Sequence, residues 1–284
     1  MKRRIFIKTS AGATLGGLSM AAFGCTGDQP AKAAARKLDH IGLQLYTVRD
    51  LMAADFEGTL EQVAAAGYDQ VEFAGYFDHS ANNVKDLVAR LGLTAPSAHI
   101  PLSAMSGDAL KTAIEQAVTI GHKYIVLAWL PEDQRGSLNL YKQHAALLNR
   151  AGEACKAAGI HMAYHNHDFE FISTEGQFPY DILLSSTDPD LVAMELDLYW
   201  ITKGGQDPLV YFKRHPGRFH LCHVKDMDDA GEITNVGQGH IDFAKIFAHA
   251  EQAGLQYYFV ENDHPTDALA DIGVSYAYLN DLTF

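Results

Sequence analysis

Four apolar runs in the second half of the chain end in side chains that can bind a cation or carry a proton. They read Ile160-His-Met-Ala-Tyr-His-Asn-His167, Leu191-Val-Ala-Met-Glu-Leu-Asp197, Phe219-His-Leu-Cys-His-Val-Lys-Asp226 and Tyr257-Tyr-Phe-Val-Glu-Asn-Asp263. Each has the length and β-branched or aromatic content of a strand. The ligand-type groups at their ends are His165, Asp197, His223 and Glu261. Side chains two apart in a strand share a face, so His165 pairs with His167, Glu195 with Asp197, and His223 with Lys225. A single His or Asp at a strand end is often a turn former or a helix cap. Four at matching places are harder to explain that way, and they point to a ring of metal ligands at one mouth of a parallel barrel.

The elements that would position such a ring repeat along the chain. Strand patterns fall at about 40–46, 69–74, 93–99, 123–130, 160–166, 191–197, 218–224 and 256–261. Helical patterns separate them: Phe56 to Ala66, Val84 to Leu91, Asp108 to Ile120, Leu138 to Ala158, Tyr180 to Leu184, Pro208 to Arg214, and Phe243 to Ala253. Another, Asp267 to Leu279, follows the eighth strand. Several helical patterns end at Gly just before the next strand, as at Gly67, Gly92, Gly121, Gly159 and Gly254, where Gly adopts the left-handed cap easily. Eight strands alternating with helices predict an α/β fold, a single-domain (β/α)8 TIM barrel over residues 38–284, close to the usual size of about 250 residues. An open doubly wound sheet is the alternative, weakened because no Gly-x-Gly-x-x-Gly loop follows the first strand. Read at the C-terminal strand ends, the mouth holds Gln44, Tyr46, Arg49, Glu72, His99, Trp129, His165, His167, Asp197, His223, Lys225, Asp226 and Glu261. Trp129 and Trp200 are candidates for an aromatic wall beside a sugar ring, or for ordinary packing.

Charge narrows the partners. The chain of 284 residues has a formal net charge of −13. Residues 1–37 hold seven Lys/Arg and one Asp, so the remainder carries −19. Such a body repels phosphate backbones and suits small neutral substrates or cations. The first 37 residues read as an export signal and tether. Arg3-Arg4 before Ile5-Phe6-Ile7-Lys8 resembles a twin-arginine motif, and a Gly- and Ala-rich apolar stretch follows from Thr9 to Phe23. Ala22-Phe23-Gly24-Cys25 resembles a lipoprotein box, so a periplasmic or membrane-anchored product with a lipid on Cys25 is expected. Ordinary cleavage at Ala31-Lys-Ala33 or Ala33-Ala-Ala35 is the alternative. Three cysteines make no disulfide framework, and Cys155 and Cys222 read as small core residues.

From Asp39 to Asp263 the chain resembles the sugar phosphate isomerase/epimerase family, the xylose isomerase-like barrels. The resemblance rests on Tyr164-His-Asn-His-Asp-Phe-Glu-Phe171, Leu196-Asp-Leu-Tyr-Trp200, Asp207-Pro208, Pro216-Gly-Arg218, His223-Val-Lys-Asp226, Val236-Gly-Gln-Gly239 with Ile241-Asp242, and Val260-Glu261. It implies one divalent cation, Mn²⁺ first, with Mg²⁺, Co²⁺ or Zn²⁺ as alternatives. The implied ligands are Asp197, His223 and Glu261, with His165 where many relatives carry Glu. It also implies Glu261 as proton carrier and His165 as second acid/base. Lys225, Asp226, His167 and Glu170 would be supporting or substrate contacts, and Glu72 and His99 would meet substrate hydroxyls or form a satisfied polar pair inside the mouth. The expected function is a metal-dependent sugar isomerase or epimerase acting by proton transfer beside a carbonyl. The alternative is a 3-keto-glycoside lyase or hydratase on the same site, which an exported location favours. An apurinic endonuclease-like enzyme and a non-catalytic sugar binder rank lower. A small sugar is the expected partner, nucleic acid is not, and a homo-oligomer stays open.

Overall fold

The computed structural model describes residues 35–284. The twin-arginine motif, Cys25 and most of the tether lie outside the described residues. Arg36 and Lys37, placed in the tether on sequence, contact the end of the chain: Arg36 and Phe284 exchange backbone hydrogen bonds at 2.8 and 3.0 Å, and Lys37 Nζ donates to Asn280 O at 2.7 Å.

Eight parallel strands close into a barrel: β1 Gly42–Gln44, β2 Gln70–Phe73, β3 Thr94–Ile100, β4 Tyr124–Leu127, β5 His161–His165, β6 Val192–Asp197, β7 Phe219–Val224 and β8 Tyr257–Val260. Each pairs with its sequence neighbours, and β1 with β8 completes the ring. The strands are short apolar runs because both faces are covered, one by the helices and one by the barrel interior. Between strands and helices lies the main core, including Leu43, Val71, Met162, Leu196 and Cys222. The barrel interior has its own smaller core of Tyr124, Val126, Ala163, Ala193, Leu221 and Phe259. The small Ala163 and Ala193 make room there for the rings of Tyr124 and Phe259.

Period two then decides what sits above that apolar plug. One step beyond Ala163 on the same face is His165, and one step beyond Ala193 is Glu195. Register aligns His165 with Glu195 and Asp197 with His223. The helix Leu138–Ala157 lies close enough to the body that a Cβ on Gly152 would meet Leu191 O at 2.6 Å. The expected helix over 243–253 is two pieces, Phe243–Phe247 and Ala250–Ala253. A helix not expected on sequence, Leu198–Lys203, starts directly at the end of β6. After β7 a small hairpin pairs Asp226–Met227 with Ile233–Thr234.

Candidate active site

The Leu198–Lys203 helix explains why an aspartate at the end of β6 is useful twice. Asp197 is its N-cap, with Oδ1 accepting the Trp200 N–H at 2.7 Å. Asn166 Oδ1 holds the Asp197 N–H at 3.0 Å. With one oxygen fixed as a cap, Oδ2 is left in the barrel mouth. There it has no hydrogen-bond partner although it is buried. Cap and ligand, the two readings open on sequence for this residue, are both compatible with this geometry.

Three further groups converge on that oxygen. His165 Nε2 lies 3.4 Å away and His223 Nδ1 3.8 Å. Glu261 Oε2 is 2.8 Å from His223 Nδ1. The four residues are buried, and their ligand atoms lie within 4.8 Å of one another. The His165 ring is oriented by Ala128 O, which accepts from Nδ1–H at 3.1 Å and leaves Nε2 with its lone pair inward. Nε2 is buried without a partner. His223 is oriented from its other side, where Nε2–H donates to Glu72 Oε1 at 2.8 Å. A carboxylate behind a ligating imidazole is the usual support of a metal-bound histidine.

Lys225 sets the charge of this group. Its buried ammonium lies 3.1 Å from Asp197 Oδ2, 2.8 Å from Glu261 Oε2 and 3.0 Å from Asp263 Oδ2. Its approach to Asp197 is an ion pair without hydrogen-bond alignment. Burial disfavours the charged form of Asp197, but Lys225 overrides it and draws the carboxyl down to about 2. Glu261 also stays well below the usual carboxylate range against its burial, through Lys225 and then His223. Burial, then the neighbouring His223, pushes His165 down to about 4, so its imidazole is neutral. Those three groups are in the state a cation requires of its ligands, whereas His223, where Glu195 and Glu261 override burial and raise the ring well above its ordinary value, gives up its Nδ1 proton on binding one. The two unpartnered atoms, His165 Nε2 and Asp197 Oδ2, are the places such an ion would satisfy. The residues fit a divalent metal.

Two of the four, His165 and Glu261, line a cavity of ≈ 1180 Å³, with Asp197 and His223 buried behind them. Its wall includes His99, His165, His167, Glu261, Asp263 and His264 on the polar side, and Tyr46, Ile100, Leu102 and Trp129 on the apolar side. Trp129 and Tyr46 are 45% and 42% exposed, large apolar surfaces open to a ligand. Trp200 stands behind His167, with ring centres 5.5 Å apart, and is not on the wall. Burial, then His165 and Lys225, push His167 well down, and its Nδ1 has no partner.

Of the residues expected at the substrate, His99 and His167 are on this wall and three others are not. Glu72 is fully buried behind His223 and accepts from Gln44 at 2.8 Å. Lys225 lies beneath the carboxylates. Asp226 accepts from the backbone N–H groups of Met227, Gly237, Gly239 and Ile241 at 2.8–3.1 Å, so it organises the loop after β7. Gly239 is required there, since a Cβ would meet Met227 O at 2.3 Å. His165, expected to double as an acid/base, has no ring nitrogen left for a proton once Nε2 holds an ion. Glu195, given no role on sequence, is fully buried beside His99 and His223. Its parity with Asp197, one step deeper in β6, was the available signal.

Comparison with known proteins agrees with this architecture. A family model described as xylose isomerase-like TIM barrel matches residues 60–278. An inosose dehydratase of Geobacillus thermodenitrificans is 24% identical over 253 residues, covering 76% of this chain and 84% of that protein. A sugar phosphate isomerase/epimerase structure from Parabacteroides distasonis superposes with a TM-score of 0.74 at 28% identity, covering 89% of this chain and 96% of that one. The IolI protein, solved with a bound zinc atom, superposes with a TM-score of 0.68 at 17% identity over 84% of this chain and 95% of its own. That last likeness is one of fold.

Proposed function

The chain belongs to the xylose isomerase-like TIM barrel family, and from that premise we propose that it eliminates water or an alcohol across the two carbons next to the carbonyl of a keto-sugar or keto-cyclitol, with a divalent cation held by His165, Asp197, His223 and Glu261. It is a sugar-acting enzyme, isomerase or lyase in class. The observation that carries the reading is the pair of buried ligand atoms left without a hydrogen bond, His165 Nε2 and Asp197 Oδ2, 3.4 Å apart beside a sugar-sized cavity that His165 lines. Two imidazoles and two carboxylates suit a borderline ion such as Mn²⁺ or Zn²⁺. When bound, such an ion supplies Lewis-acid polarisation of a carbonyl and its neighbouring oxygen.

The residue at the end of β5 favours elimination over epimerisation. Inverting a carbon beside a carbonyl uses one proton carrier on each face of the sugar. His165 occupies the place where a carboxylate would be the second carrier, and its ring is committed on both sides. Elimination can use a single group on one face. His167 is that group: a neutral imidazole on the cavity wall, kept neutral by burial, by the neighbouring His165 ring and by the Lys225 cation. It takes the proton from the carbon beside the carbonyl and returns it to the departing oxygen as the C–O bond breaks. Lys225 keeps Asp197 and Glu261 ionised, and Glu261, held far below the usual range, acts as ligand more than as base. Relatives named inosose dehydratase support a dehydrating reaction on a keto-cyclitol. Twin-arginine export and a lipid on Cys25 belong to this proposal, and the mass of the mature N-terminus tests them.

The test is incubation with keto-inositols and 3-keto-glycosides, after chelation and with Mn²⁺ restored. The expected result is a conjugated enone, read by its ultraviolet absorbance, formed only with metal. Solvent deuterium entering beside the carbonyl with the hydroxyl count unchanged, and an epimer as product, would replace elimination by isomerisation.

A further inference from the structure

One layer below the four ligand atoms lies a second group that the proposed reaction does not use. It consists of Glu72 in β2, His99 in β3, Glu195 in β6 and the Nε2 side of His223. His99 Nε2 is 2.7 Å from Glu195 Oε2 and 3.3 Å from Glu72 Oε1. His223 Nε2 is 2.8 Å from Glu72 Oε1 and 3.4 Å from Glu195 Oε2. Donor atoms around a tetrahedral cation bound at about 2.0–2.2 Å sit roughly 3.3–3.5 Å apart. Each of these four imidazole–carboxylate approaches lies within about half an ångström of that spacing, and all four atoms lie within 4.8 Å of one another. Two carboxylates match the charge of one divalent ion. Each also has a second oxygen buried without a partner, Glu72 Oε2 and Glu195 Oε1, and Ser97 Oγ is buried unpartnered as well. A quartet held by hydrogen bonds alone leaves those oxygens desolvated for nothing, which is costly. A cation that reaches the unpartnered oxygen of a carboxylate satisfies it.

We infer that Glu72, His99, Glu195 and His223 form a second, closed divalent-cation site beneath the first, with the His223 ring shared between the two ions. His223 offers Nδ1 to the outer group and Nε2 to the inner one. With both sites filled the ring gives up the protons of both nitrogens to solvent, and it bridges as imidazolate. Four protein ligands leave no open position, so the inner ion organises charge and geometry and does not bind substrate. Entry is past His99, whose ring is on the cavity wall. The inference shares His223 with the outer site but is independent of the reaction proposed there.

The experiment is metal counting on the full chain, stripped with chelator, reloaded with excess Zn²⁺ and desalted. The expected counts are two ions per wild-type chain, one in Glu195→Gln and one in Asp197→Asn. A single ion in wild type, lost in Asp197→Asn and kept in Glu195→Gln, overturns the inner site. A single ion with the opposite pattern supports it and sinks the outer site instead, and no ion at all sinks both. If Glu195→Gln does not fold, His99→Gln replaces it. Loading wild type with Cu²⁺ adds a readout that needs no variant. A shared imidazolate couples the two spins, so the electron paramagnetic resonance signal falls well below two spins per chain. Two full uncoupled spins, or one spin at saturating Cu²⁺, would overturn the shared ring.

Discussion

Both ends of the barrel present histidines on β5 and β7, and they do different things. At the N-terminal end, His161 stacks against Tyr124 at 5.2 Å, and His220 Nδ1 meets the Tyr124 hydroxyl at 3.0 Å. Tyr257 packs edge-on to the same ring at 5.7 Å. Among the described residues no carboxylate forms an ion pair with either ring, and burial lowers His220. At the C-terminal end of the same strands, His165 and His223 lie among Asp197, Glu195, Glu72 and Glu261. An imidazole against aromatic faces is packing with one hydrogen bond. An imidazole whose lone pair converges with carboxylates can be a ligand. The contrast lies in the neighbours, and in a lysine that keeps those neighbours charged.

Four experiments would break or sharpen that contrast. At the mouth, His167→Asn should cost about 10²–10⁴-fold in rate, the usual worth of a general acid/base, while the metal count stays at the wild-type value. A loss of metal with the rate would make His167 a positioning residue. Lys225→Met leaves Asp197, Glu261 and Asp263 without their shared cation, and in the chelated protein should cost about 3–5 kcal/mol of stability. Added Zn²⁺ should recover most of that, because the ion takes over the neutralising role. Urea melts with and without Zn²⁺ measure both, and equal losses in the two would mean that no ion sits beside these carboxylates.

Glu170 gives a pH-dependent effect. Burial pushes its carboxyl up to about 8 from an ordinary 4.5. Between those values the unfolded chain has released the proton and the folded chain still holds it, so stability falls as pH rises through the window. Glu170→Gln removes this dependence. Its midpoint in urea should improve relative to wild type on going from pH 5 to pH 8, and a constant difference would show the carboxylate to be ionised in the fold. The smallest effect belongs to the other end of the barrel. Tyr124→Phe should lose about 0.5–1.5 kcal/mol for one hydrogen bond, with metal count and rate unchanged. A changed metal count would mean that the two ends are coupled through the interior core.

Strand number and strand ends were legible in the sequence because period two and Gly-terminated helices are local signals. The four ligand-type residues fell out of that reading, since each stands at the end of its own run. The helix Leu198–Lys203 was hidden because it begins at the ligand itself, with no turn residues between strand and cap. For Asp226 the sequence left supporting and substrate roles open, because its backbone partners, Gly237, Gly239 and Ile241, are more than ten residues away.

What the amino-acid order determined alone is which side chains face inward at the strand ends: His165, Asp197, His223 and Glu261 above the small Ala163 and Ala193. What the tertiary structure decided is which of them meet. Closure of β1 on β8 brings the first strands beside the last, so that Glu72 reaches His223 across 151 residues of chain. Register shifts between β2 and β3 and between β6 and β7 set the height at which Glu72 and Glu195 stand. Closure and register are properties of all eight strands packed together. They depend on how the interior fills, so no single stretch of sequence encodes them.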